Sequence, residues 1–229
     1  MAIDQWLLEQ CHQDNHSPTL RFYQWTPAAI SLGRNQSTWP QHWQDLIWQG
    51  SPIDLVRRPT GGRTVLHAGD LTYAIALPYS HRNRRQAYAE LCQFLIQGWQ
   101  YLGVRLHFGE PRRNYTHKAN CFATATDADL VLDNGYKFIG SAQAWQGQTV
   151  LQHGSMRLVP NPDLAQRVFG PELPPQGNTE LAKLSTPDII DAMIEAAKTC
   201  FRATFTCQPL SPTELEAIRQ LELSSINQG

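Results

Sequence analysis

The chain has no run approaching the roughly 18 consecutive apolar residues that a membrane-spanning helix needs. It also lacks a basic excess: 19 Lys and Arg stand against 20 Asp and Glu, for a formal net charge of −1. That balance argues against a chain built to neutralise a polyphosphate backbone, so nucleic-acid binding is not its main role. Cysteine is sparse. Cys11, Cys92, Cys121, Cys200 and Cys207 make an odd number with no CxxC pair, which fits neither a metal knuckle nor a disulfide framework and suits a reduced, cytoplasmic protein. No metal site is expected. The opening MAIDQWLLEQ carries acids where a signal peptide would be basic, so export is not indicated. Neither a GxxxxGK[ST] nor a GxGxxG motif is present, and there is no internal repeat or low-complexity tract.

What is there reads as a globular protein. At 229 residues, with 41% hydrophobic and 17% charged residues, the chain can bury a substantial core. It reads as a single domain over 1–229, with 161–229 a helical C-terminal extension packed on the rest. Apolar spacing predicts helices over 2–12 and 85–102, the latter ending at Gly103, and helical character over 39–48. Strands are expected at 20–25, 28–32, 53–58 and 71–77, with the first two pairing across a Thr26-Pro27 turn. Residues 130–159 read as a meander, turning at Asp133-Asn134-Gly135 and at Gln146-Gly147-Gln148. The proline-rich stretch 160–176 is expected to be irregular, with at most one helical turn. A helix over 189–205 follows the start signal Thr186-Pro187, and Ser211-Pro212-Thr213-Glu214 has the form of a capping box.

Three stretches share one chemical character: RRPTGGRTVLH (57–67), GYKFIGSAQ (135–143) and LQHGS (151–155). Each sets glycines or small residues beside a cation or a hydrogen-bonding side chain, which lets backbone approach a carboxylate, phosphate or thioester carbonyl. In the first, Pro59-Thr60-Gly61-Gly62 is a turn between strands with Arg58 entering and Arg63 leaving; a plain tight hairpin is the bland alternative. His67 ends the next strand and reads equally as a substrate contact or a structural histidine. In the second, alternation places Lys137, Ile139, Ser141 and Gln143 on one face. Lys137 is either solvated or aimed at a ligand, with Gly140 admitting close approach. In the third, Leu151, His153 and Ser155 share a face, with Gly154 beside them. Cys121, among polar and small residues, is either a buried structural thiol or a nucleophile that a nearby ammonium would activate. Arg82, Arg84 and Arg85, with Arg112, Arg113 and Lys118, form a solvated basic run or a landing patch for an acidic partner.

In this order, RFYQWTPAAISLGRNQ, RRPTGGRTVLH, DLTYAIALP, GYKFIGSAQ and LQHGS resemble the lipoate–protein ligase and octanoyltransferase family, relatives of biotin protein ligase, over roughly residues 1–160. The resemblance implies an α+β fold of the biotin/lipoate ligase type: a mixed, mainly antiparallel β-sheet flanked by helices, enclosing a tunnel for a medium acyl chain. It implies Cys121 and Lys137 as catalytic residues. As substrate-binding residues it implies Arg58, Thr60, Gly61, Gly62, Arg63, His67, Gly140, Ser141, Ala142, His153 and Gly154. Asn120-Cys121-Phe122 sits where the cysteine-type octanoyltransferases carry their nucleophile, and GGR rather than GGG in the turn points to the same branch.

That branch implies an acyltransferase moving octanoyl, or lipoyl, from acyl carrier protein to a cysteine and then to a lysine of a lipoyl domain. Recipients would be 2-oxoacid dehydrogenases or the glycine cleavage H protein, with no cofactor required. Two other readings stay open: a lipoate ligase that uses ATP and Mg to form lipoyl-adenylate, with Cys121 incidental, and a non-catalytic relative that binds acyl groups or lipoyl domains.

Overall fold

The computed structural model describes residues 1–80, 83–110, 128–171, 181 and 183–226. Its frame is an antiparallel sheet in the order β1 (Thr19–Tyr23), β7 (Leu71–Pro78), β11 (Thr149–Met156), β10 (Lys137–Gln146), β9 (Leu130–Val131), β8 (His107–Phe108). The mixed, mainly antiparallel sheet flanked by helices that the resemblance implies is what forms. Alternation along β7 explains how the sheet is covered. Tyr73 and Ile75 face one side and enter the larger core, whereas Ala74 and Ala76 face the other.

On the Tyr73 side lie α2 (Arg84–Tyr101) and α4 (Thr186–Phe201). The stripe Ala87, Leu91, Phe94, Leu95 and Trp99 is buried at helical spacing, and Trp99 meets the Phe138 ring edge-on at 4.8 Å. Each such fully buried large apolar side chain contributes about 1.5–3 kcal/mol over leaving it exposed. The two helices cross closely because Gly98 has no side chain: a Cβ there would lie 2.6 Å from Met193 Sδ. Asn83, with an accepting side chain, caps α2. On the alanine side, α1 (Ala2–His12) lays Trp6, Leu7 and Cys11 against Ala74, Ala76, Ala144 and Leu151. There α5 (Pro212–Ile226) adds Ile218. The expected capping box forms at its start, with Glu214 accepting from Ser211 N and donating its own N–H to Ser211 Oγ.

A second sheet sets β2 (Ala29–Leu32) between β5 (Asp54–Arg57), which runs parallel to it, and β6 (Val65–His67), which runs antiparallel. The expected pairing of 20–25 with 28–32 does not occur. All four residues of β2 are buried, the signature of a central strand needing partners on both edges. Strand β1 instead pairs with β7. Trp25 separates the two, stacked on His67 at 4.4 Å and donating its indole N–H to Thr72 Oγ1.

Two further expectations are corrected. Residues 39–48 are not a helix: one 3-10 turn (Gln41–Trp43) leads into a hairpin of β3 (Ile47–Trp48) and β4 (Ser51–Pro52). The hairpin closes through Gln49 and Gly50 at φ +48° and +81°, the left-handed pair a tight two-residue turn requires. The apolar spacing there reflects anchoring instead, since Trp43 is fully buried and donates to Val168 O. The stretch after Pro160 carries a two-turn helix, α3 (Pro162–Phe169). Its signal was in the sequence: Asn161 caps it and Pro162 takes the first helical position. Among the described residues, no helix is long and apolar enough to cross a membrane.

Candidate functional site

The Arg58–Arg63 turn is not a hairpin. Its flanking strands β5 and β6 lie on opposite sides of β2, so the turn arches over the end of that strand. Backbone packs on backbone there: a Cβ at Gly33 would fall 1.9 Å from Gly62 O. Gly62 itself sits at φ +99°, where a side chain would be strained. The Arg58 guanidinium is buried inside the arch. It donates to Ser31 O at 3.0 Å, to Gly61 O at 3.0 Å and to Arg63 O at 2.6 Å. Arg58 therefore braces three carbonyls of the turn and its support. Thr60 is fully buried, with its carbonyl accepting from Arg34 N at 2.8 Å. Gly61 differs from its neighbours, because the place its side chain would occupy has no atom within 4 Å.

One histidine grips this turn from the main sheet, and a second holds Ser31 on the strand beneath it. His153 on β11 sets Nε2 2.6 Å from Thr60 Oγ1 and Nδ1 2.9 Å from Asp4 Oδ2. Asp4, on α1, also accepts from Arg21 at 2.6 Å and from the Tyr23 hydroxyl at 2.8 Å. Burial pushes His153 below its ordinary pKa, against the pull of Asp4, and so favours the neutral ring. The Asp4 pKa is lowered too: burial works to raise it, but His153 and Arg21 outweigh burial and hold the group ionised. His67 on β6 repeats the pattern. Its Nδ1 lies 2.8 Å from Asp70 Oδ2 and its Nε2 2.9 Å from Ser31 Oγ, the hydroxyl to which Arg58 Nη1 also donates. Both ring nitrogens are thus engaged and one face is covered by Trp25, the structural alternative for this residue. Burial opposes ionisation of Asp70, yet His67, Ser155 and Thr72 keep its pKa low.

Lys137 opens β10 and is buried, with Nζ 2.9 Å from Asp129 Oδ1. A register shift between Lys137 and Ile139 interrupts the pairing with β9. The expected cluster of Lys137, Ser141, Gln143, His153 and Ser155 is divided by the sheet. Ser141 accepts from Tyr73 at 2.7 Å and Gln143 donates to Gln152 at 2.9 Å, both on the α2 side. His153 and Ser155 face the other way, toward Asp4 and Asp70. Gly154 makes room for protein, since a Cβ there would lie 2.5 Å from Ser141 Oγ. Gly140 and Ala142 pair with Ser155 and His153 and share their face. They form a half-buried, nearly side-chain-free floor next to the histidine that holds the glycine turn.

Cys121 lies outside the described residues, as do Arg82, Arg112, Arg113 and Lys118. Arg84 and Arg85 are exposed at the start of α2. A cavity of about 370 Å³ lined by Trp25, Pro27, Trp48, Ile53, Val159 and Leu164, among others, includes none of the expected site residues. Sequence reasoning missed Asp4, Asp70, Asp129 and Ser31. Asp70 follows His67 by three residues, a spacing that could have flagged it; Asp4 reads locally as an ordinary acid in a first helical turn.

A family model described as the lipoyl protein ligase A/B catalytic domain matches residues 1–202. Among curated relatives, an octanoyltransferase LipM of Exiguobacterium sp. is 38% identical over 169 residues, covering 69% of this chain and 60% of the relative. That of Geobacillus kaustophilus is 33% identical over 180 residues, covering 74% and 64%. The chain thus spans about 60–64% of the length of these two relatives. That of Lysinibacillus sphaericus is 29% identical over 248 residues, covering 97% and 89%. A solved lipoate-protein ligase A bound with ATP superposes with a TM-score of 0.77 at 19% identity, covering 96% of this chain and 88% of that one. A putative lipoate protein ligase from T. acidophilum with bound lipoic acid gives a TM-score of 0.76 at 18% identity, covering 95% and 88%.

Proposed function

The chain belongs to the lipoyl protein ligase A/B catalytic domain family, and from that premise we propose that it is an octanoyltransferase working through a cysteine acyl-enzyme. One observation carries the choice of activity: 38% identity to a relative named octanoyltransferase, in a chain that has a cysteine, Cys121, in the segment ahead of the two strands β9 and β10, the second of which Lys137 opens. In this reading the Cys121 thiolate attacks the carbonyl of an octanoyl thioester on acyl carrier protein. The carrier thiol leaves, taking up a proton, and octanoyl remains on sulfur. The amine of a lysine on a lipoyl domain then attacks the new thioester, forms the amide and returns the thiol.

The described residues support distinct tasks. Lys137, fixed by Asp129, contacts the acyl carbonyl. The glycine turn offers backbone N–H groups where negative charge develops on oxygen, the arrangement that stabilises acyl-transfer transition states. Gly140 and Ala142 form a floor on which the acyl group lies close to backbone. Each methylene buried along an apolar tunnel would contribute roughly 0.8 kcal/mol to chain-length selection. Arg84 and Arg85 offer positive charge to small acidic carrier domains, with release and docking sensitive to salt.

Intact-mass spectrometry of the purified protein with octanoyl-acyl carrier protein tests the reading. An octanoyl adduct that maps to the Cys121 peptide, disappears in Cys121→Ser and is discharged by a lipoyl domain is expected. No adduct with that donor, but ATP-dependent pyrophosphate release with free lipoate or octanoate, would replace it with the ligase reading. Binding of lipoyl domains without turnover under either condition would leave a non-catalytic relative.

A further inference from the structure

We infer that Thr60, His153 and Asp4 form a positioning relay that aims the backbone of the glycine turn, so that the N-terminal helix belongs to the acyl site. The inference rests on the proposed reading of that turn as the place where the acyl carbonyl is held.

Hydroxyl, imidazole and carboxylate in this order are also the parts of a base-activated nucleophile. Burial argues for a different task here. Thr60 and Asp4 are 0% exposed and His153 4%, so the threonine hydroxyl presents no face to a substrate carbonyl. It works as an anchor. The proton arrangement is dictated from the carboxylate end: Asp4 can only accept, so Nδ1–H of His153 donates to it. A neutral ring then has only a lone pair at Nε2, and the Thr60 hydroxyl, 2.6 Å away, must donate. Arg21 and Tyr23 hold Asp4 from β1. The relay therefore ties α1, β1 and β11 to a turn carried by the other sheet.

Peptide geometry converts that grip into orientation. In a trans peptide the C=O and the following N–H point in opposite directions, and the only cis bond among the described residues is Thr26-Pro27. With Thr60 O turned to Arg34 N at 2.8 Å, the Gly61 N–H points the other way. With Gly61 O turned to Arg58 Nη2 at 3.0 Å, the Gly62 N–H points away from the guanidinium. Two successive amides are thus aimed by the hydrogen bonds on the carbonyls before them, beside the open space at the missing Gly61 side chain. Thr60 immediately precedes both, so freeing its side chain loosens the register of the pair.

The test compares Thr60→Val, which removes the hydroxyl at constant shape, with Thr60→Ser, which keeps it; Thr60→Ala replaces the valine variant if that one does not fold. Steady-state transfer of octanoyl from its thioester donor to a lipoyl domain is measured beside the ¹H–¹⁵N amide resonances of Gly61 and Gly62. T60V is expected to lower kcat about 10- to 100-fold, the scale of a small misplacement of a reacting group, with KM for the donor little changed. The two glycine resonances are expected to move in T60V and to return, along with most of the rate, in T60S. A valine variant with wild-type kcat and unmoved glycine resonances would overturn the relay, as would a serine variant impaired as badly as valine. If the wild-type protein transfers octanoyl from no donor, the functional reading falls on its own. The glycine resonances then decide the relay alone, and unmoved resonances sink it.

Discussion

Thr60 Oγ1 and His153 Nε2 lie 2.6 Å apart although 93 residues separate them, and that contact joins the glycine turn to the centre of the main sheet. Behind it stands a carboxylate with no exposure, Asp4, which accepts from Arg21, Tyr23 and His153 together. Removing a buried charge that serves three partners strands all of them. Asp4→Ala is therefore expected to cost about 3–5 kcal/mol, read as a lower urea midpoint at unchanged slope.

Acid should weaken the fold through the same histidine. The groups facing His153 are Asp4, Arg58, Thr60 and the Met1 amine, and burial is the largest influence, lowering its pKa below 6.5. Near pH 6.5 the unfolded chain takes up a proton that the folded protein still refuses. More protons on the unfolded state means stability falls as pH drops through that region. The depressed carboxylates Asp4 and Asp70 continue the loss below 3.8. Urea midpoints measured from pH 8 downward should stay level and then decline below about 6.5. His153→Gln should flatten that first decline.

Gly33 and Gly61 separate backbone packing from ligand space. Alanine at Gly33 would drive a Cβ to within 1.9 Å of Gly62 O, and neither backbone can yield without moving the turn. A displacement on the order of 1 Å predicts roughly a hundredfold loss of acyl transfer, together with a lower melting temperature. Alanine at Gly61 meets nothing within 4 Å. Its melting temperature should match the wild type, while KM for the acyl donor rises because the methyl occupies the space offered to the substrate.

Lys137 and Asp129 should be separable by mutation. Lys137→Met is expected to abolish transfer, whereas Asp129→Asn keeps the ammonium while loosening its position. The asparagine variant should therefore retain a reduced kcat. Equal residual activity in the two variants would remove Lys137 from the chemistry.

Thiol labelling reports on the cysteines individually. Burial pushes the Cys92 thiol up to about 12, and Cys11 is buried with its pKa raised as well, so neither should react with an alkylating reagent at pH 8 until the protein unfolds. Exposed Cys207 should label at once. Preincubation with the octanoyl thioester should protect Cys121 selectively, read by peptide mass.

Local patterns carried much of this protein. The helices at 2–12 and 84–101, the 130–156 meander with its turn at Gly135, and the Ser211–Glu214 capping box each follow from spacing, turn chemistry or a cap that acts within a few residues. The three motifs were legible for the same reason, since small residues beside hydrogen-bonding groups mark close backbone approach wherever they occur.

What stayed hidden depended on partners distant in the chain. Nothing in Ala29–Leu32 announces that it pairs with 54–57 and 65–67 instead of its sequence neighbour, because strand partners are chosen by burial on both edges. Nor does Asp4 announce a role at the turn, 149 residues before the histidine it orients. Apart from 39–48 and Pro162–Phe169, the amino-acid order alone determined which segments curl, extend or bend, and which residue types could approach an acyl group. Only the tertiary structure decided which buried carboxylate stands behind which imidazole, because excluding water from such groups requires the whole core around them.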